Sequence, residues 1–155
     1  MGVIRTLKNR IMSNGNRLIL QAFQYGGMAE VAGQPSNPEL LALIKRHLPS
    51  ADDDSTTAWC GIFMGEMFDQ LKLEKPKGYM AARSWLNVGT PVDLSDAQAG
   101  DIVIFKRGTS TWQGHVGIFT RVNDPKYISV FGGNQSNRIG HSNYAIADLL
   151  GVRRV

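Results

Sequence analysis

The hydrophobic pattern changes period part-way along the chain, and this change limits the fold more than any other feature. Up to Leu71 apolar residues recur at helical spacing, whereas from Asp101 they come in short runs rich in β-branched and aromatic residues. The front half predicts a helix from about Arg17 to Tyr25, stopped by Gly26-Gly27. A second is announced by Asn37-Pro38-Glu39, where a capping side chain, a proline at the first helical position and an early acid coincide. Its core face is Leu40, Leu41, Ile44 and Leu48. Beyond a polar stretch from Asp52 to Thr57, the residues Ile62, Phe63, Met67 and Leu71 mark a third helix, which puts Cys60 at a helix start. In the back half, Asp101–Phe105, His115–Val122 and Lys126–Phe131 read as antiparallel strands, the last two joined by a turn at Asn123-Asp124-Pro125-Lys126. Helices followed by strands predict an α+β fold, with the N-terminal helices packed against a small antiparallel sheet.

A chain of 155 residues with 43% hydrophobic and 19% charged side chains has the length of about one domain and enough apolar residues for a packed core. No repeat, low-complexity run or linker divides it. The expected organisation is a basic leader helix over residues 1–16, followed by one domain over 17–155. The apolar run Leu18-Ile19-Leu20 is too short for a secretory signal or a membrane span. The opening Met1-Gly2-Val3-Ile4-Arg5-Thr6 fits a myristoylation pattern, but it is read as part of the leader. A monomer made in the cytoplasm, without stable membrane insertion, is expected.

The net charge of +4 suits an anionic polymer without requiring nucleic acid, and the sequence lacks the basic patch interleaved with aromatics that single-strand binding needs. The single cysteine excludes an internal disulfide and any multi-cysteine metal site. Asp52-Asp53-Asp54 is not a full calcium-ligand pattern, and no His-Glu-x-x-His occurs, so neither metal nor cofactor is expected. His47 reads as a helix-surface residue.

A thiol at a helix start faces unpaired N–H groups and the positive end of the helix dipole, which with a histidine nearby lowers its pKa to roughly 3.5–7.5. A hairpin symmetric about the Asp124–Pro125 bond places His115 opposite Asn134, within side-chain reach on one face. Gly132-Gly133 is where a bulge would shift this register. Taken alone, a lone cysteine on an amphipathic helix is as readily inert packing as a nucleophile.

Five blocks of sequence bear on that choice: Thr57-Ala58-Trp59-Cys60-Gly61-Ile62-Phe63, Ala82-Arg83-Ser84-Trp85, Gly100-Asp101-Ile102-Val103-Ile104-Phe105, Gly114-His115-Val116-Gly117-Ile118-Phe119 and Gly132-Gly133-Asn134-Gln135. In this order they resemble the CHAP and NlpC-type thiol peptidoglycan hydrolases. The nearest likeness is to the small endolysin-like subgroup with Trp-Cys and Gly-Gly-Asn-Gln motifs, over about Phe23 to Val155. The resemblance implies a papain-like fold, with Cys60 as nucleophile, His115 as base and Asn134 as the polar residue that orients it. It also implies hydrolysis of a bacterial peptidoglycan amide, between muramic acid and L-alanine or within the stem peptide, through an acyl-enzyme. Many CHAP domains carry a glutamate at the position of Gly132, so Gln135, Asn137 and His141 could each stand in place of Asn134. Trp59, Trp85, Trp112 and Gln135 are candidates to line the substrate groove, and Arg83 to pair with a stem carboxylate, although core packing is the commoner role for at least two of the tryptophans and solvation the commoner state of an arginine. The competing reading is a non-catalytic wall-binding or virion structural module on the same fold. Without a signal peptide, action in the periplasm or wall requires a holin, a secretion machine or a virion.

Overall fold

The structure is a computed structural model that describes residues 12–31, 37–52 and 58–155. Most of the leader, and Asp53 and Asp54 of the acidic run, therefore lie outside the described residues.

The front half folds as its capping signals dictate. Helix α1 (Asn14–Phe23) starts earlier than expected because Ser13 caps it, its hydroxyl accepting from the Asn16 N–H at 3.2 Å. Helix α2 (Pro38–His47) is capped by Asn37, whose side-chain oxygen accepts from the N–H groups of Glu39 and Leu40. Helix α3 (Cys60–Leu71) ends where Lys72 turns left-handed, with φ 57°. No helix among the described residues is long and apolar enough to cross a membrane.

The six strands are β1 (Thr90–Val92), β2 (Ile102–Lys106), β3 (Gly114–Asp124), β4 (Tyr127–Gly132), β5 (Gly140–Ala145) and β6 (Leu149–Arg154). They form one antiparallel sheet in the order β1-β6-β2-β3-β4-β5. Strands β1, β5 and β6 were not foreseen. β1 has only three residues, and β5, Gly-His-Ser-Asn-Tyr-Ala, has too few apolar side chains to show a strand period.

The apolar run of β2 is continuous because both faces of the sheet are covered. Ile102 and Ile104 point into a core shared with Leu18, Ile44, Phe63 and Met67 of the helices. Val103 and Phe105 point the other way, onto Phe119, Ile128 and Val130, where Val92 from one end of the strand order and Tyr144 from the other also pack. The sheet therefore curls on itself. Phe105 of β2 stacks on Tyr144 of β5 at 4.9 Å between ring centres, although two strands separate them. At the start of β2, buried Asp101 receives a two-pronged bond from Arg154, which ties the C-terminal strand down.

The β3–β4 hairpin turns tightly at Pro125-Lys126, with Asp124 accepting from the N–H groups of Lys126 and Tyr127. Two bulges in the hairpin then bring the pairing back to Phe119↔Val130 and Ile118↔Phe131, the register that a turn symmetric about Asp124–Pro125 requires. Strand β4 stops at Gly132, so Gly114–Gly117 of β3 have no β4 partner. The candidate site occupies this gap.

Candidate active site

Trp59 and Cys60 are the hinge between a loop and α3. The Trp59 side chain is fully buried, and its indole N–H donates to the Glu30 carboxylate. Gly133 lies flat on it: a methyl group there would come within 2.6 Å of the Trp59 ring and 2.7 Å of the Phe63 Cβ. These contacts lock the first turn of α3 against the strand end.

The Cys60 thiol meets the backbone N–H groups of Val116, Gly61 and Cys60 itself, which places it beside the residue that follows His115. The expected depression of its pKa does not result. Burial raises the thiol pKa, and this outweighs the three N–H groups and the charge of Arg107 that pull it down. The resting Cys60 side chain is a thiol.

His115 is only 2% exposed. Its Nε2 lies 3.0 Å from Gln135 Oε1, and the Tyr144 ring stacks flat on the imidazole at 4.5 Å and 7°. Burial lowers the His115 pKa to about 4, with Gln135 opposing the shift and the charge of Arg107 adding to it. The Tyr144 hydroxyl is pushed up to about 12, by burial and by the negative charge Cys60 would carry.

The Gln135 carboxamide is oriented without ambiguity. Its Nε2 donates to the carbonyls of Val130 and Gly140, so Oε1 must face the imidazole and His115 Nε2 must carry the proton. His115 Nδ1 then holds a bare lone pair. It is the one buried side-chain polar atom without a hydrogen-bond partner among the described residues. Close approach of Gln135 depends on Gly117 and Gly132, where an added methyl would sit 3.2 and 3.1 Å from Oε1.

The partner expected for His115 was Asn134, but the contact goes to the next residue. The pairing register that favoured Asn134 holds up to Phe131, after which the chain leaves the ladder. Asn134, Ser136 and Asn137 all take positive φ, between 51° and 58°, and this tight turn carries Asn134 away and brings Gln135 inward. Neither Asn137 nor His141 takes the role. Asn137 is exposed, and His141 packs against Phe23 and Phe131.

The groove-lining expectations divide in the same way. Trp59 and Trp85 are fully buried, Trp85 donating its indole N–H to the Tyr79 carbonyl at 2.7 Å, so neither meets a substrate. Gln135 is fully buried on His115. Arg83 donates from Nε and Nη2 to the carbonyls of Gln113 and Ser110, at 2.8 and 2.6 Å. Trp112 is the exposed tryptophan, at 72%.

His47 is not a surface residue. It bonds the buried Glu66 at 2.6 Å and the Tyr79 hydroxyl at 2.8 Å. His47, Glu66 and Asp69 come close enough to hold a cation, but the His47 ring nitrogens and the Glu66 carboxylate are already engaged within the protein. Tyr144, Glu30 and Arg107 were missed at the site, because nothing in their local sequence connects them with Cys60.

A model of the CHAP domain matches residues 52–134, more than half of the chain. The fold is similar to that of a crystal structure from Staphylococcus aureus subsp. aureus Mu50, described as similar to lipoprotein and of the NLP/P60 family. The TM-score is 0.54 at 21% identity, over 92% of this chain and 41% of that one. It is also similar to the P60 domain of an antigen from M. avium paratuberculosis, with TM-score 0.53 at 11% identity, over 92% and 93% of the two chains. The chain thus spans about two fifths of the first of these and nearly all of the second. The fold is the papain-like NlpC/P60 fold. No curated protein matches the chain.

Proposed function

The chain belongs to the CHAP domain family, and from that premise we propose that it is a cysteine hydrolase that cleaves an amide bond of bacterial peptidoglycan. The observation that carries this reading is the bare, buried Nδ1 of His115 next to the strand position whose N–H meets the Cys60 thiol. A buried unpaired lone pair is costly, and a base awaiting a proton accounts for it.

The resting pair is neutral, a thiol with an unprotonated imidazole. Attack of Cys60 Sγ on the amide carbonyl is therefore coupled to transfer of the thiol proton to His115 Nδ1. The resulting imidazolium gives that proton to the leaving amine as the C–N bond breaks. A water, losing its proton to the same Nδ1, then hydrolyses the thioester and restores the thiol. Gln135 holds Nε2–H throughout, which fixes the tautomer without adding charge. The Cys60 N–H, already at the sulfur, is a donor to the developing oxyanion. The bacterial envelope is the place of action, and an endolysin-like lytic role is part of this reading.

The test is release of new amino groups from purified peptidoglycan by the parent protein, Cys60→Ser and His115→Ala. The parent should release amines and both variants should lose at least a hundredfold in rate. Cys60→Ser cleaving as fast as the parent would remove the nucleophile assignment. Binding of the parent to insoluble wall with no amine released would replace catalysis by a wall-binding role.

A further inference from the structure

The connection between β2 and β3 leaves and re-enters the sheet at the level of His115: Lys106 pairs with Gly114, and Phe105 with His115. Residues 107–113 therefore adjoin the His115 end of the β2–β3 pair. They surround an open depression of about 570 Å³. The loop is held by hydrogen bonds from outside and within. Arg83 bonds the carbonyls of Ser110 and Gln113, and the Ser110 hydroxyl accepts from the N–H groups of Trp112 and Gln113. These bonds commit Arg83 Nε and Nη2 to the loop.

Arg107 is the cation left over. Its side chain is exposed, and it makes no hydrogen bond or ion pair among the described residues. Lys106, beside it, has Asp148 at 3.9 Å. The charge of Arg107 acts on Cys60, His115 and Tyr144 alike, which sets its guanidinium within electrostatic reach of the reacting groups. An uncommitted guanidinium on a pinned loop, with an exposed tryptophan beside it, suits a planar anion carried on a larger ligand.

We propose that Arg107 is the specificity-determining residue of the site, its guanidinium pairing with a stem-peptide carboxylate next to the amide that Cys60 attacks. This rests on the reading of the site as a peptidoglycan hydrolase. Arg83 is then a positioning residue that holds the loop, and Trp112 an apolar contact for the neighbouring part of the stem or sugar.

The experiment compares two soluble muropeptides, one with its stem carboxylates free and one with the same carboxyls amidated. Each is given to the parent, Arg107→Gln, Arg107→Lys and Cys60→Ser, and kcat and KM are read from amine release. The parent should prefer the free carboxylates by tenfold or more in kcat/KM, mainly through KM. Arg107→Gln should bring that ratio to about one, with Arg107→Lys between the two. A merely structural role for Arg107 would slow both substrates equally and leave the ratio intact, which overturns the proposal. So does a parent with no preference. In both of those cases an inert Cys60→Ser still supports hydrolysis, whereas a parent that cleaves neither peptide removes the hydrolase reading and this proposal with it.

Discussion

Gln135 Oε1 lies 3.0 Å from His115 Nε2, and the carboxamide cannot turn over, because its nitrogen is held by the carbonyls of Val130 and Gly140. In the proposed mechanism, this bond decides which imidazole nitrogen is the base. Gln135→Ala should lower kcat at least tenfold by releasing the tautomer. It should also destabilise the fold by about 1–3 kcal/mol, since buried carbonyls lose their donor. Asn134→Gly, which keeps the left-handed backbone, should stay within about twofold of the parent in kcat/KM. Steady-state kinetics and thermal melts of the two variants decide the matter, and a larger kinetic loss for Asn134→Gly would return the orienting role to Asn134.

The pH dependence of catalysis follows from the same burial. In the proposed mechanism the base must be unprotonated, and burial holds the His115 pKa at about 4 against an ordinary 6.5. The acid limb of kcat/KM should therefore fall through about pH 4, not through pH 6 to 7. Stability moves in the same direction. The unfolded chain takes up this proton below 6.5 while the folded chain refuses it until about 4, so His115 withdraws about 3 kcal/mol of stability as pH drops across that interval. A pH–rate profile with its acid limb centred above pH 6 would contradict the neutral resting pair.

The sequence was most legible where chemistry is local. Caps and periods located α2 and α3, because Asn37 and the Ile62, Phe63, Met67 spacing act within a turn or two of themselves. Cys60 at a helix start and His115 at the opening of a strand belong to the same kind of signal. The residue that bonds His115 is one position beyond the expected Asn134, although the pairing register holds up to Phe131. The reason is the left-handed turn at Asn134, Ser136 and Asn137, which no propensity announces in non-glycine residues. Core packing is the commoner role for at least two of the three tryptophans, and Trp59 and Trp85 take it; which two they are, and that Arg83 holds a loop, is decided by contacts between distant segments. His47 shows the same limit, since its partners Glu66 and Tyr79 lie 19 and 32 residues away.

Glu66 is a buried ionised group whose behaviour can be tested. Burial by itself raises its pKa, but bonds from Arg46, His47 and Gln70 prevail and hold it at about 2, against an ordinary 4.5. Because the folded value is the lower one, this stability is complete above pH 4.5 and is lost as pH falls towards 2. Glu66→Ala should cost about 3 kcal/mol at pH 7. Denaturant melts of parent and variant should converge on acidification, and a gap that stays constant from pH 7 to pH 2 would show that the loss is one of packing and not of charge.

Arg83 connects the core to the loop of residues 107–113. Its Nε and Nη2 reach two carbonyls of the same loop, Gln113 and Ser110, so only a forked donor holds both. Lysine has the charge without the fork. Arg83→Lys should therefore loosen residues 107–113 while leaving the melting temperature within a few degrees, because the bonds tie down a surface loop and not the core. Hydrogen exchange at Trp112 and Gln113 should accelerate, since their N–H groups bond the Ser110 hydroxyl only while the loop keeps its shape. KM should rise several-fold with kcat little changed, as expected when the adjoining loop moves but His115, Gln135 and Cys60 stay in place. A drop in kcat at unchanged KM would mean that Arg83 acts on the strand opening at Gly114, against which its Cγ packs, and not on the loop.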